Sequence, residues 1–512
     1  MSPDPEPPGP APVDPPHDLR LAPSLAAACL AALLVVRLSA PAAVAAALLA
    51  AVLAGGSASA GWLLARGRAR GLGNRTGALV LRAAALALAV AATTFAAGAA
   101  QTDSRESGPW RRLDGAVVVV EGRVTGDPVL LPPAWPGAPA RAAWMLTAER
   151  VRTAGAAPRS QAARAPVRVL GPASGLPDFD ARVRVRGRLV RSPAGERAVA
   201  VVLSSDAPVL VGPPGRAHRL ARSVRAAEQE LAQRLPGDAG ALLPGVTVGD
   251  TTRVPDDLRA AMRAAGLTHL TAVSGSHFSL VATLTLTVAA VSGVRRRWCP
   301  AVVVGAMAAM VVLVHPSASV VRAAAMGLVG VWGMLLGRPA RAPAALAAAA
   351  IVLLVADPWL AGELGFVLSV LATAGIVLLA GPLARRWEPA LGRTFAPALA
   401  VPVAAQLACG PAVVAIAPAF TTYAIPANLA AAPAVAPATV LGLLAGALEP
   451  WCAPLAHALA WGAGAACWWI GAVARVASHA PGASVPWLSG AAGVGVLAVA
   501  GLCVSRLLVS RR

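Results

Sequence analysis

Two histidines, His269 and His277, stand eight residues apart around a Ser274-Gly275 break in the segment from Gly266 to Leu280, and their types could do chemistry. A metal site would need partners at HxH or HxxxH spacing, and the other histidines, His17, His218, His315, His457 and His479, supply none. A nucleophilic Ser274-His277 pair would need an acid to orient the imidazole, and the segment has none. No catalytic group, metal or cofactor is expected. A glycine and several hydroxyls opening an apolar run leave backbone groups that a membrane tolerates only beside a polar cavity. The expected role of His269, Ser274, Gly275 and His277 is therefore to line a path for a polar cargo.

A second feature is Arg322, a few residues inside the apolar run from Val320 to Gly337. A charge at membrane depth costs a few kcal/mol unless it faces a cavity or a partner. Arg322 is either a transport residue or a side chain that snorkels to the interface. From Thr268 onward the acids are Asp357, Glu363, Glu388 and Glu449, and the first two flank a Pro-Trp turn. A third feature is the alternating Arg182, Arg184, Arg186 and Arg188, which share one face of a strand while Val183, Val185 and Leu189 share the other. Residues 101 to 240 hold 21 Arg against 13 acids, enough for phosphate contacts by counterion release. The alternative is a solvated outer face of a half-buried strand. Aromatic platforms for base stacking are few: Trp110, Trp135, Trp144 and Phe179.

The elements that must position these residues are mostly membrane helices. The 512 residues are 57% hydrophobic and 13% charged, with mean hydropathy +0.66, which excludes an ordinary soluble protein. All 44 basic residues are Arg, so the net charge of +20 partly reflects composition. About twelve apolar spans are expected between Leu21 and Leu508, three of them before residue 101. A Pro-rich tail precedes them, over residues 1–20, and no cleavable signal peptide is expected. The six cysteines (Cys29, Cys299, Cys409, Cys452, Cys467, Cys503) lie in or beside spans and read as core residues.

Arginine-bearing links at Arg66 to Arg75, Arg295 to Arg297, Arg338 with Arg341, Arg385 to Arg393 and Arg511 with Arg512 fall on one side of the alternating count. By the positive-inside rule both termini are then cytoplasmic, in a plasma (inner) membrane, with Arg475 the exception. Residues 101–215 form an external domain with strands expected at 116–124, 141–151, 166–170, 181–191 and 198–204, a small barrel of the OB type. In the 216–266 lead-in, residues 221–235 read as an amphipathic helix, with Val224, Leu231 and Leu235 against Arg225, Glu228 and Glu230. Residues 267–512 are expected to form the main membrane domain, which the resemblance below implies is a channel.

The segment His269-Leu270-Thr271-Ala272-Val273-Ser274-Gly275-Ser276-His277 resembles the His-Leu-x-Ala-(Val/Ile)-Ser-Gly-x-His motif of the ComEC family of DNA-internalisation channels. Further matches follow in family order. They are Val248-Gly249-Asp250 with Pro255-Asp256-Asp257-Leu258, Arg322-Ala323 with Met326, Asp357-Pro358-Trp359 with Gly365-Phe366-Val367-Leu368-Ser369, and Asn428-Leu429 with Pro433. The resemblance implies uptake of single-stranded DNA, with Asp357, Glu363 and Asn428 joining the path residues and Arg182 to Arg188 receiving DNA. It implies partners too: a DNA receptor, a cytoplasmic motor or helicase, membrane lipid and a further copy of the chain. Many members carry a metallo-β-lactamase-like domain with an HxHxDH motif and a disulfide in the external domain; neither is present in this sequence. Ser276 stands where an apolar residue is usual. No GxxxxGK[ST] loop is present, so energy must come from a partner or an ion gradient. The rival reading is a membrane enzyme or small-solute transporter sharing the histidine motif.

Overall fold

The computed structural model describes residues 18–67, 75–106, 108–133, 135–154, 161–271, 273–316, 318–335 and 342–509. Most of the Pro-rich tail, Arg68, Arg70, Ala272, Arg338, Arg341, Arg511 and Arg512 lie outside them. The chain begins with α1 (Ala22–Val35), α2 (Ala40–Gly67) and α3 (Arg75–Glu106). These helices carry no acid in their first turns, and their apolar side chains face outward along much of their length. In lipid a helix satisfies its backbone within itself, so exposed Leu48, Val52 and Leu63 need no protein partner.

The soluble segment folds into β1 (Val117–Val124), β2 (Val129–Leu131), β3 (Arg141–Thr153), β4 (Gln161–Pro172), β5 (Arg182–Arg191), β6 (Ala200–Leu203) and β7 (Val209–Gly212). The five expected strands are present, and β2 and β7 are short additions. The order β1-β3-β4-β6-β5 closes through β1–β5 pairing, with β4 and β6 parallel, which is the connectivity of an OB barrel. Alternation explains the core: Val118, Val120, Leu146, Val167, Val185 and Leu189 point inward. Trp110 and Trp144 are sealed inside with them, which removes both as stacking platforms.

Then follow α4 (Arg216–Gln233), α5 (Gly237–Val248), α6 (Asp256–Ala264), α7 (Gly275–Val291), α8 (Cys299–Val314), α9 (Ala318–Leu335), α10 (Ala342–Ala356), α11 (Leu364–Gly375) and α12 (Gly381–Ile416). The strand β8 (Ala419–Thr421), helices α13 (Ala424–Leu448) and α14 (Ala453–His479), strand β9 (Ser484–Pro486) and α15 (Gly490–Val509) complete the chain, with β8 paired to β9. Seven helical stretches among the described residues are long and apolar enough to cross a membrane, against the expectation of about twelve. The shortfall is in length: Ala22–Val35, His277–Val291 and Ala342–Ala356 are apolar but short, and one stretch, Leu364–Ile416, breaks at Gly392, where φ is +79°.

One expectation on α4 is overturned. Glu228 does not face solvent with Arg225 and Glu230; it is fully buried. The helix packs against α5, α13 and α14, and the absence of a side chain at Gly446 admits the carboxylate, since a Cβ there would stand 2.5 Å from Glu228 Cγ. Periodicity placed the residue on a polar face, but that face meets protein.

The barrel rests on the ends of the membrane helices. Arg197, in the β5–β6 turn, donates to both Asp357 and Glu363. Arg105, at the end of α3, donates to the backbone carbonyls of Glu196 and Arg197 and lies 3.9 Å from the Trp359 ring centre. Gln101 donates to the Ala356 carbonyl at 3.0 Å. Each partly exposed ion pair contributes about 0.2–1 kcal/mol. Arg197→Ala should therefore weaken docking by about 1 kcal/mol, read as faster proteolytic release of the barrel from membranes by cleavage on both sides of it, in its links to α3 and to α4. An unchanged release rate would show that this cluster does not hold the barrel.

Candidate functional site

The histidine motif forms the start of α7. Ser274 is the N-cap; its backbone N–H donates to His277 Nδ1 at 3.1 Å, and its hydroxyl lies 3.1 Å from the same nitrogen. With Nδ1 accepting, His277 Nε2 carries the proton and donates to the Val246 carbonyl of α5 at 2.9 Å. The buried imidazole thus satisfies two backbone groups and ties α5 to α7. The structure brings Ser274 and His277 together, yet the far ring nitrogen meets a carbonyl and not an acid, so the pair lacks the orientation of a nucleophilic couple. His269 sits apart, in a short 3-10 turn over Thr268–Thr271, and is exposed. Gly275 is the first residue of α7.

In front of this motif is a cavity of about 500 Å³. Thr125, Asp127 and Phe179 wall it from the barrel, and Arg259, Thr271 and His315 from the helix ends. His315 Nδ1 lies 2.8 Å from Asp127 Oδ1, and its ring stacks on Phe179 at 4.1 Å between centres. Arg225 approaches the same carboxylate at 3.6 Å and donates to the carbonyls of Val248 at 3.0 Å and Leu313 at 3.3 Å. Phe179 is therefore occupied by His315, leaving Trp135 as the exposed aromatic named from the sequence. Asp250 accepts from Gln229 at 2.6 Å and from the Thr252 hydroxyl at 2.6 Å. Burial would raise its carboxyl, but these hydrogen bonds hold it below the usual range.

The other expected path residues lie elsewhere. Asp357 and Glu363 are engaged by Arg197 in docking the barrel. Asn428 donates to the Ala424 carbonyl at 2.7 Å and reaches the Gly266 carbonyl at 3.5 Å, so it joins α13 to the turn before the motif. Arg322 does not snorkel: it is 2% exposed on α9, which packs against α7, α8, α10 and α11. Among the described residues, its Nη1 has no hydrogen-bond partner. On the barrel, Arg182 pairs with Glu149 at 2.7 Å and Arg184 with Glu121 at 2.6 Å. Arg186 and Arg188 are exposed opposite Val119 and Val117. Half of the stripe is thus neutralised by neighbouring strands, which a single strand's pattern cannot reveal.

Sequence reasoning missed the cavity's Asp127 and Arg259, the approach of Arg225 to Asp127, and the interior role of Glu228. The one available signal was Arg475, the exception to the charge rule. It makes a two-pronged contact with Asp238, at 2.5 and 2.8 Å, and a third bond to Asp257 at 2.9 Å.

A family model described as Competence protein matches residues 246–512, beginning at the residue whose carbonyl holds His277. ComE operon protein 3 of Bacillus subtilis (strain 168) is 28% identical over 214 residues, which is 41% of this chain and 27% of that protein. The alignment thus spans about a quarter of the relative's length. No solved structure matches the chain.

Glu228 generates a test of the interior. Its Oε2 accepts from the Thr247 hydroxyl at 2.5 Å, and its Oε1 has no partner among the described residues. Burial pushes the carboxyl from its ordinary 4.5 up to about 8, while Thr247 and Arg225 pull it down and Asp250 pushes it up. The folded chain then holds a proton that the unfolded chain releases, so this group's contribution is full below about pH 4.5 and is lost as pH rises toward 8. Glu228→Gln should flatten the decline in thermal stability between pH 5 and 8 and raise the midpoint at pH 8, measured by tryptophan fluorescence in detergent. An unchanged slope would mean that Glu228 is not protonated in the fold.

Proposed function

This chain belongs to the competence protein family, and on that premise we propose that it is a multi-pass conduit of the plasma membrane taking up single-stranded DNA during natural transformation. Its termini are cytoplasmic in this reading. The observation that carries the proposal is Arg322, a buried cation whose Nη1 has no hydrogen-bond partner among the described residues, on a helix packed against α7, α8, α10 and α11 within the matched segment. An unpaired guanidinium there lowers the barrier to a phosphate polyanion, as basic rings favour anions in other pores. The barrel is fixed above the same helices, and its exposed Arg186 and Arg188 offer phosphate contacts at the approach. The partners fitting this reading are a DNA receptor, a cytoplasmic motor or helicase to supply energy, and further copies of the chain.

Deletion of the gene should abolish transformation, and Arg322→Gln should do the same at normal protein abundance, since removing a buried charge does not hinder insertion. Arg322→Lys keeps the charge and loses the planar fork, so it should fall between the two. Normal transformation by Arg322→Gln at wild-type protein level would remove the residue from the path.

The barrel's part is tested on the full chain in detergent. Arg186→Ala with Arg188→Ala should flatten the dependence of log affinity for single-stranded DNA on log salt, by about 0.7 for each phosphate that is no longer neutralised. Arg182→Ala with Arg184→Ala should change it less, because those two side chains already face Glu149 and Glu121. Equal effects of the two pairs, or no DNA binding even at low salt, would refute this role.

A further inference from the structure

The ends of α13 both lie on the face of the protein that carries the barrel. That face is marked by His315, one residue past α8, and by Asp357 and Glu363 between α10 and α11, all of which touch the barrel. From there α11 descends and α12 returns antiparallel beside it: Cys409 donates to the Leu368 carbonyl, and Gly375 packs on Ala404. Ile416 is therefore back at the barrel face, and α13 starts eight residues later. At the other end of α13, Gly446 packs on Glu228, one turn along α4 from Arg225. Arg225 reaches Leu313 at the end of α8 and Asp127 of the barrel, which are again on the barrel face.

A helix of 25 residues is about 37 Å long at ~1.5 Å per residue. If it crossed the bilayer, its ends would lie on opposite sides. Helix α14 runs antiparallel beside it, with Trp469 Nε1 donating to the Ala430 carbonyl at 2.9 Å, so it shares the same plane.

Two independent features agree. Helix α6, with Asp256, Asp257, Arg259 and Arg263, packs against α14, and Asp238 and Asp257 hold Arg475 there. At the opposite end of α14, Arg234 of the lead-in meets His457 at 3.0 Å, so a spanning α14 would carry one of these two charged contacts to the side away from the barrel. The buried residues of α14, among them Ala460, Cys467, Ile470 and Ala474, form one stripe, and Trp461, Trp468, Trp469 and Val476 lie exposed on the other side. Tryptophan prefers the headgroup level, so spanning helices concentrate it near their ends. Here three tryptophans occupy the middle of a 27-residue helix, and Trp451 in the turn before it is 86% exposed.

We infer that α13 and α14 do not cross the membrane but lie in its barrel-side interface, α14 turning its tryptophan face into the lipid headgroup and acyl boundary while α4, α5 and α6 ride on the opposite face. The hairpin is a lipid-docking surface that supports the layer flooring the 500 Å³ cavity. Removing two spans from the count leaves both termini on one side. The inference stands whether or not the cargo is DNA.

The turn at Glu449 to Cys452 decides the matter, because crossing helices would put it on the side opposite the barrel. Cys452 is exposed and native. With the other five cysteines changed to alanine, Cys452 should react with a membrane-impermeant thiol reagent in intact cells. Its extent should equal that of Ser484→Cys on the barrel face, measured with Cys452 also changed to alanine. Ser292→Cys, at the far end of α7, should react only after permeabilisation. Trp451→Cys provides a second reporter in the same background. Labelling of Cys452 and Trp451→Cys only after permeabilisation, together with Ser292→Cys, would overturn the inference, as would no labelling in either condition.

Discussion

The imidazole of His277 is the joint on which the family-matched half of the molecule depends. A helix beginning inside a membrane protein must satisfy its first N–H groups without water, and one broken at Ser274-Gly275 has few side chains to do so. His277 solves both sides of the break. Its Nδ1 takes the Ser274 N–H, and its Nε2–H fills the Val246 carbonyl, so the end of α5 and the start of α7 are fixed by one ring. Asparagine could cap the helix but could not span to α5, and a nonpolar residue would leave a buried carbonyl unpaired, at about 1–3 kcal/mol. The cavity follows from this joint, because Thr271 and Val273 line it from the turn that the imidazole holds.

How much of this was legible in the sequence depends on whether a residue's partner lies in its own element. The barrel strands were readable because alternation is a property of one strand, and Val183, Val185 and Leu189 point inward as their spacing requires. The fate of the arginine stripe was not, because neutralisation of Arg182 and Arg184 comes from Glu149 on β3 and Glu121 on β1, and register is set by the closed barrel. Glu228 failed for the same reason in a helix: its surroundings are set by Gly446, 218 positions away. Asp357 and Glu363 were legible as a charged outer turn but not as the anchor for Arg197. The one warning that could be read without a fold was Arg475, whose place broke the charge rule because two acids of the lead-in, Asp238 and Asp257, hold it.

The chain has arginine as its only cation, and this shapes how its parts are joined. A guanidinium offers a rigid fork of donors, so one residue can clamp two groups at once. Arg197 spans Asp357 and Glu363, Arg475 spans Asp238 and Asp257, and Arg225 gathers two carbonyls and approaches Asp127. Each clamp joins elements far apart in sequence: barrel to membrane helices, lead-in to α14, and α4 to α8. Such half-exposed pairs contribute little stability apiece. Their geometric demand nonetheless fixes where each surface meets, which is what a cavity shared by the barrel and the helix ends requires.

Against that pattern Arg322 stands out by contrast. The other interior arginines of the lead-in and docking surfaces have carboxylates or carbonyls within reach, so the fold can satisfy a guanidinium where satisfaction is all that is needed. Leaving Nη1 of a 2% exposed arginine without a partner among the described residues costs stability, since a buried donor retains its full desolvation penalty. A structural residue would have been expected to bring an acid with it, as Arg475 does. In the proposed conduit the partner is an anion that comes and goes, which accounts for an arginine on a helix whose neighbours α7, α8, α10 and α11 carry no carboxylate. A passing phosphate fills that place.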